Sequence, residues 1–184
     1  MKITQIGPAV AITALLGATW AVPAAISAAT PTPEDSVKTV GSKTTLEGMQ
    51  GDKVTFTSPR GWTTPRSSSH QSKAFSQGDK SIDVSLLDGS DDFETTSKRV
   101  VRNLSNEGVA VVYDGGRITS KNGFEGKTCT AVVAAAQAAG RCAVVHKGGV
   151  VVTIISTDAK TGPTQDAMKS VDTIVDTLEL KKEG

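Results

Sequence analysis

Cys129 and Cys142 are the residues of this chain whose spacing most directly suggests chemistry. They fall in two β-rich runs that a short connection joins, so antiparallel pairing of the runs would place the two thiols opposite each other. A disulfide between them would close a loop of about 14 residues and stabilise the fold by roughly 3 kcal/mol. Two free buried thiols or a redox pair are the alternatives, and the chain has no C-x-x-C motif. We predict a structural disulfide.

The two histidines, His70 and His146, are the natural candidates for acid-base or metal chemistry. His70 lies in a serine-rich stretch that is typical of an exposed loop. His146 precedes the Gly148-Gly149 turn and has no acidic neighbour in the sequence to fix its tautomer. A zinc site needs three or four ligands, and two histidines beside paired cysteines fall short. We expect neither a catalytic histidine nor a metal.

An acidic run contains Asp88, Asp91, Asp92 and Glu94. A calcium loop requires oxygen ligands at alternate positions, a glycine at the sixth and a carboxylate at the twelfth, and this run does not match that frame. Asp91 followed three residues later by Glu94 fits a helix N-cap with a capping box. The run therefore predicts a helix start.

Two triplets imitate the motifs of penicillin-binding enzymes: Ser120-Lys121-Asn122 and Lys160-Thr161-Gly162. The serine nucleophile of those enzymes lies in S-x-x-K, which this chain lacks. G-x-S-x-G, Walker and G-x-G-x-x-G motifs are absent as well. We expect a protein that is not an enzyme and has no cofactor.

The elements that would carry these residues form an α+β fold with a mostly antiparallel sheet and packing helices. Alternation predicts a strand at Val54–Thr57, with the Trp62 ring folded back onto the core, and a hairpin around Gly78-Asp79. A helix should run from Asp91 to Asn106 and end at Gly108. Further strands are predicted over the ranges 109–113, 117–121, 128–135, 141–147 and 150–157, with a turn at Asp114-Gly115-Gly116. An amphipathic C-terminal helix carries Ala167, Met168, Val171, Ile174, Val175 and Leu178 at helical spacing.

The N-terminus carries no charged side chain between Lys2 and Glu34. Lys2, an apolar run from Ile6 and small residues such as Ser27 and Ala29 are typical of a signal peptide. The same stretch is long enough for an apolar helix that anchors the chain in a bilayer. We therefore expect residues 1–29 to be a signal peptide or membrane anchor, and the rest to be secreted or held outside the cell membrane. Such an oxidising location favours the disulfide.

Composition limits the partners of the exported part. Removing Lys2 from 20 basic residues leaves 19, against 19 acidic residues. This balance excludes the basic excess that nucleic-acid binding demands. Residues 30–50 are polar with little periodicity, which predicts a linker, and residues 51–184 are expected to form a single extracytoplasmic domain.

The stretch from Lys53 to Trp62, KVTFTSPRGW, resembles the strand and Pro-x-Gly-Trp opening of the PsbP-like fold, including exported LpqN-type envelope proteins of actinobacteria. The helix after the first strands, the strand meander and the closing helix are similar too, from Val54 to Leu180. The resemblance implies a non-catalytic accessory subunit that binds partner proteins or hydrophobic ligands. The lipoprotein cysteine of many relatives is absent, so lipid modification is not implied.

Three functions follow from these observations. The first is an exported, non-catalytic accessory protein that docks on an envelope membrane complex such as a respiratory complex. The second is a carrier of a hydrophobic ligand, with room left by the small side chains of Ala131, Ala134 and Ala143. The third is an enzyme of unrecognised type.

Overall fold

A computed structural model describes residues 36–66, 69–89, 92–159 and 165–181 of the chain. These residues belong to one compact unit that begins at Asp35. In chain order the elements are β1 (Ser36–Lys38), β2 (Lys43–Glu47), β3 (Lys53–Thr57), β4 (Thr63–Pro65), β5 (Ser72–Gln77), β6 (Lys80–Leu87), α1 (Phe93–Asn106), β7 (Val109–Thr119), β8 (Glu125–Val133), β9 (Ala138–Lys147), β10 (Val150–Asp158), α2 (Gln165–Asp176) and β11 (Glu179–Lys181). Among the described residues neither helix is long and apolar enough to cross a bilayer.

The predicted α+β class with a mostly antiparallel sheet is confirmed. Eight strands form one sheet in the order β1-β4-β5-β6-β10-β9-β8-β7, and three form a second in the order β11-β3-β2. Every described strand pairing is antiparallel. The expected N-terminal apolar helix and the signal peptide or anchor, residues 1–29, lie outside the described residues.

The larger core lies between the two sheets and α2. Alternate residues of β9 and β10, including Val145 and Ile154, point into it together with the β6 residues Ile82 and Val84. The small sheet contributes Val54 and Phe56, and α2 contributes the apolar stripe that was predicted for it: Ala167 is 5% exposed and Val171, Ile174 and Val175 are 2% exposed or less. The predicted helix on the sheet is therefore confirmed, and Trp62, 8% exposed, belongs to the same core as expected.

A smaller core lies on the opposite face of the large sheet, beneath α1. It contains Cys129, Cys142, Val144 and Val151, with Phe93, Val100 and Leu104 of α1 packed over them. The two cysteines face each other in the β8–β9 register and form the predicted disulfide, with their Cα atoms 4.8 Å apart. Both are almost fully buried. The disulfide thus joins neighbouring strands under a helix and lies far from solvent.

The predicted linker, 30–50, is wrong from Ser36 onward. β1 and β2 lie in this range, and Leu46 is fully buried in the larger core. The β2 sequence KTTLE contains one apolar residue, which is too few to give a visible period of two. β2 forms a strand because it pairs with β3, and its own sequence shows no hydrophobic alternation that would predict one.

The predicted N-cap of the first helix is wrong by one residue. Asp92, rather than Asp91, caps α1: its carboxylate accepts hydrogen bonds from the Glu94 N–H at 2.9 Å and the Thr95 hydroxyl at 2.5 Å. The Thr95 hydroxyl is the main cause of a lowered pKa of Asp92. Phe93 follows this cap as the first residue of the helix, and its ring stacks on that of His146 in β9. The predicted end at Gly108 is confirmed by its φ of 82°.

The predicted turn at Asp114-Gly115-Gly116 is wrong, because the chain continues as one long strand. The β7–β8 register shifts between Tyr113 and Arg117, which marks a β-bulge. Asp114 shapes it by accepting hydrogen bonds from the Gly116 N–H at 2.8 Å and the Thr128 hydroxyl at 2.5 Å. The predicted Gly148-Gly149 hairpin is confirmed, with both φ angles positive as a two-residue turn of this kind requires.

Removing the disulfide should lower the free energy of unfolding. We expect the Cys129→Ala/Cys142→Ala variant to lose roughly 3 kcal/mol, because the unfolded chain regains the entropy of the open loop. Urea denaturation followed by Trp62 fluorescence measures the loss, and reduction of the wild-type protein should reproduce it. Equal denaturation midpoints for variant and wild type would contradict the prediction.

The hydrogen bonds at the bulge should be visible in the titration of Asp114. The Thr128 hydroxyl, followed by the Gly116 N–H, lowers the pKa of Asp114. A lowered folded-state pKa means that this carboxylate stabilises the fold above its ordinary pKa, and that the contribution is lost as pH falls through the folded-state pKa.

We expect Thr128→Val to raise the pKa of Asp114 toward its ordinary value, as measured by NMR titration of the carboxyl carbon. Thr95→Val is the matched control. It removes the hydroxyl that bonds Asp92 and should raise the pKa of Asp92 while leaving that of Asp114 unchanged. If the pKa of Asp114 changed by the same amount in both variants, the Thr128 hydrogen bond could not be the cause of its lowered pKa.

Candidate functional site

A cleft of about 480 Å³ opens between the loop that follows β3, the end of β10 and α2. We call it the Trp62 cleft, because Trp62 and Ile174 form its buried apolar floor. Its volume lies within the range of small-molecule sites. One wall is the segment Ser58-Pro59-Arg60-Gly61-Trp62, which is also the segment that resembles the PsbP-like opening.

The wall from Ser58 to Trp62 is held by backbone and hydroxyl hydrogen bonds to residues 39–42. Ser58 is buried, and its hydroxyl donates to the Ser42 carbonyl oxygen at 3.0 Å. The Gly61 N–H donates to the Thr39 carbonyl oxygen at 2.8 Å, and the Thr39 N–H donates to the Trp62 carbonyl oxygen at 2.7 Å. Gly61 adopts a φ of 80°, which a side chain would strain. These bonds give the cleft a preformed wall.

The opposite walls come from the sheet and from α2. Ser156, Thr157 and Asp158 end β10 within the cleft, and all three are buried. The Thr157 hydroxyl lies 2.8 Å from that of Ser81 on β6, so the two hydroxyls share a hydrogen bond. From α2, Ala167 and Ile174 add apolar surface. The cleft therefore combines an apolar floor with hydroxyl-rich walls.

Three cationic side chains and one carboxylate line the cleft. Lys80 stands opposite Asp158 in the β6–β10 register, so these two opposite charges are neighbours. Arg60 and Lys169 remain as excess positive charge, and both residues are exposed. A ligand with an apolar body and an anionic group would match this arrangement, since the cations lie at the solvent side of an apolar floor.

Neither histidine lines the Trp62 cleft. His70 is exposed as predicted, and its carbonyl oxygen accepts a hydrogen bond from the Glu47 N–H. The expectation that His146 lacks an acidic neighbour is wrong, because its Nε2 lies 3.8 Å from Oε1 of Glu125, its partner in the β8–β9 register. Pairing across strands creates this contact, and spacing along one strand cannot reveal it.

His146 belongs to a cluster that holds the first turn of α1 on the sheet. Its ring stacks on Phe93 with centroids 4.1 Å apart. Lys127 bonds Glu94 at 2.6 Å and lies 5.7 Å from the centre of the Tyr113 ring. The Lys127 hydrogen bond and charge lower the pKa of Glu94, and burial raises the pKa of Tyr113. Each charged group already has a partner within the cluster, which fits helix docking better than proton transfer.

The other candidates from sequence have structural roles where they are described. The Ser120 hydroxyl accepts a hydrogen bond from the Phe124 N–H, and the Asn122 amide donates to the Leu178 carbonyl oxygen. Lys160-Thr161-Gly162 lies outside the described residues, as does Asp91. Within the described ranges no group of three or more His, Cys, Asp or Glu residues is placed to hold a metal.

None of the three alanines from which a pocket was expected lines the Trp62 cleft. Ala131 and Ala143 are fully buried in the two cores, and Ala134 is exposed in a turn. The Trp62 cleft was missed because its lining comes from five separate segments; the Pro-x-Gly-Trp turn was its one visible signal.

Comparisons with known proteins found few similarities to this chain. No known protein family and no curated protein matches the chain. A crystal structure from Bacteroides thetaiotaomicron VPI-5482 is similar, with a TM-score of 0.39 and 14% identity, over 71% of this chain and 46% of the other. The chain thus spans less than half the length of that protein.

Proposed function

We propose that this chain is an exported, non-catalytic binding protein whose site is the Trp62 cleft, and that the cleft takes a small anionic amphiphile. The observation that carries the proposal is the pairing of a buried apolar floor, Trp62 and Ile174, with the excess cations Arg60 and Lys169. An alkyl chain would cover the floor, and an anionic head would bond the cations at the rim.

The hydroxyl groups of the cleft support binding rather than catalysis. The hydroxyls of Ser58 and Thr157 each have a partner within the fold, and no histidine lies beside them. A serine or threonine nucleophile needs an adjacent base that is itself oriented by a third group. The hydroxyls of Ser58 and Thr157 are thus held by the fold, which supports a role in recognition.

Export and the PsbP-like fold belong to the same proposal. The buried Cys129–Cys142 disulfide is compatible with an oxidising extracytoplasmic compartment. The KVTFTSPRGW opening, the later helix, the meander and the closing helix occur in the order that the PsbP-like resemblance implies. Cleavage of the leader would release the domain, whereas retention would hold it beside the membrane.

A second function, docking on an envelope membrane complex such as a respiratory complex, is favoured by exposed apolar side chains near the N-terminal end of the described chain. Met49 is 85% exposed and Val40 is 71% exposed. Val40 lies within residues 39–42, which hold the wall of the cleft. A docked partner would therefore lie beside the ligand site.

Octyl phosphate should bind the full chain, held in phosphatidylcholine nanodiscs, with empty discs as the blank in isothermal titration calorimetry. We expect Arg60→Gln/Lys169→Gln to weaken binding by roughly tenfold or more, since two charge-assisted contacts are lost. The matched control, Arg102→Gln on the exposed part of α1, should bind like wild type.

Octyl glucoside tests the role of charge, because it presents a similar chain with an uncharged head. It should bind more weakly than octyl phosphate and should not distinguish the variants. Absence of octyl phosphate binding, or equal binding by the doubly substituted cleft variant, would overturn the ligand proposal.

The docking proposal predicts that the full chain co-purifies in mild detergent with a membrane complex at a fixed ratio. Val40→Asp/Met49→Asp should lower that ratio roughly tenfold, because charge at a buried contact is unfavourable. Arg102→Asp should leave the ratio unchanged. Elution of the wild-type chain apart from any membrane protein would count against docking and would leave the ligand proposal standing.

A further inference from the structure

The outer edge of β7 is an unprotected sheet edge. β7 runs for eleven residues from Val109 to Thr119 and pairs with β8 on one side. No described strand pairs with its other side. The opposite edge strand, β1, is only three residues long and contains Lys38. Natural sheets shield long edges with lysine, proline, bulges or short strands. In β7 the bulge at 114–116 shields one half, and Val109–Tyr113 remains regular and uncharged.

The backbone groups that face outward from this half of β7 can be assigned from the disulfide pair. Cys129 and Cys142, with Cα atoms 4.8 Å apart, match the close, non-hydrogen-bonded pair of an antiparallel ladder. The backbone groups of Cys129 therefore point toward β7, where they meet Tyr113. By alternation the backbone groups of Ala110 and Val112 point away from β8, toward the open edge.

The side chains beside this edge form an apolar strip on the face that α2 covers elsewhere. Val112 is 69% exposed and Val132, opposite Ala110 on β8, is 44% exposed. On this face α2 lies over β9, where Arg141 is 4.0 Å from Asp172 of the helix, and the far half of β7 packs through Ile118 against the same core, whereas Val112 and Val132 remain exposed. The strip therefore joins an open backbone edge to exposed apolar side chains.

We infer that this edge binds a second copy of the chain, through antiparallel pairing of β7 with its mate about a two-fold axis at Val111. In that register Ala110 opposes Val112 of the other copy, and Val109 opposes Tyr113. Both pairs are apolar, and the outward-facing groups of Ala110 and Val112 become hydrogen-bonded to each other. A two-fold axis repeats each contact, so the surface must complement itself, and this one does.

The charges at the ends of the edge favour the same arrangement. Glu107 precedes β7 and Arg117 follows its bulge, and both are exposed. Antiparallel pairing brings the beginning of one strand near the end of its mate, so these opposite charges approach each other. Asp114 would face Gly108 of the other copy, so no like charges oppose each other. Moving the axis to Val112 would instead oppose Asp114 to Ala110 and bring the bulge into the pairing.

Engineered cysteines test the register in the full chain under oxidising conditions. The Ala110→Cys/Val112→Cys variant should form a disulfide-linked dimer, because opposed residues of an antiparallel pair lie within the Cα separation that a disulfide bridges. Each single variant, Ala110→Cys or Val112→Cys, should cross-link at least tenfold less. These positions face away from the native disulfide, which limits exchange with it. Equal cross-linking by double and single variants would overturn the register.

Light scattering of the full chain in detergent, corrected for bound detergent, tests the interface itself. The wild-type protein should have the mass of a dimer, and Val112→Lys should weaken dimerisation at least tenfold, since charge on an edge opposes pairing. The control is Val37→Lys, which places the same charge on an exposed valine of the opposite edge strand, β1. This variant should remain dimeric. A monomeric wild type would overturn the proposal, as would a dimer that Val112→Lys leaves intact. Cross-linking of the edge to a different protein in place of a second copy would overturn it as well.

Discussion

Burial of β10 on both faces is the constraint on which the rest of the structure depends. All nine residues from Val150 to Asp158 are buried, and the strand pairs along its length with β6 on one side and β9 on the other. Val152 and Ile154 point into the core beneath α2, whereas Val151 and Ile155 point toward α1. Full burial of such a side chain contributes about 1.5–3 kcal/mol. A charge placed at the middle of β10 would therefore disturb both cores at once.

The polar end of β10 shows how this constraint produces a site. Thr157 and Asp158 are as inaccessible as their apolar neighbours, so each needs partners inside the fold. Thr157 finds the hydroxyl of Ser81, and Asp158 stands beside Lys80. The strand thus ends in polar groups with partners on β6, next to the apolar ring of Trp62. An amphiphilic cleft results from ending a wholly buried strand at the boundary of its core.

How much of this could be predicted from sequence depended on whether the signal was local. The α2 stripe, the Gly148-Gly149 hairpin and the β6 alternation each lie within one segment, and their predictions are confirmed. β2 was missed because its single buried residue, Leu46, gives no period. Asp114-Gly115-Gly116 was misread because the same glycines suit a turn or a bulge, and only pairing with Thr128 selects the bulge. The Glu125–His146 contact and the Trp62 cleft arise between strands that are distant in sequence, so no local pattern reports them.

The two proposed binding surfaces lie on separate parts of the large sheet. In the strand order, the cleft borders β5, β6 and β10, whereas the edge proposed for self-association is β7. Pairing at β7 would extend the sheet without covering either cleft, because β9 and β8 lie between β10, which lines the cleft, and β7. The described chain begins at β1, the edge opposite β7. A two-fold dimer would therefore present two open clefts with β1 at its outer ends, and two linked sites bind a shared surface more tightly than one. Self-association through β7 would therefore increase avidity without any change in the Trp62 cleft.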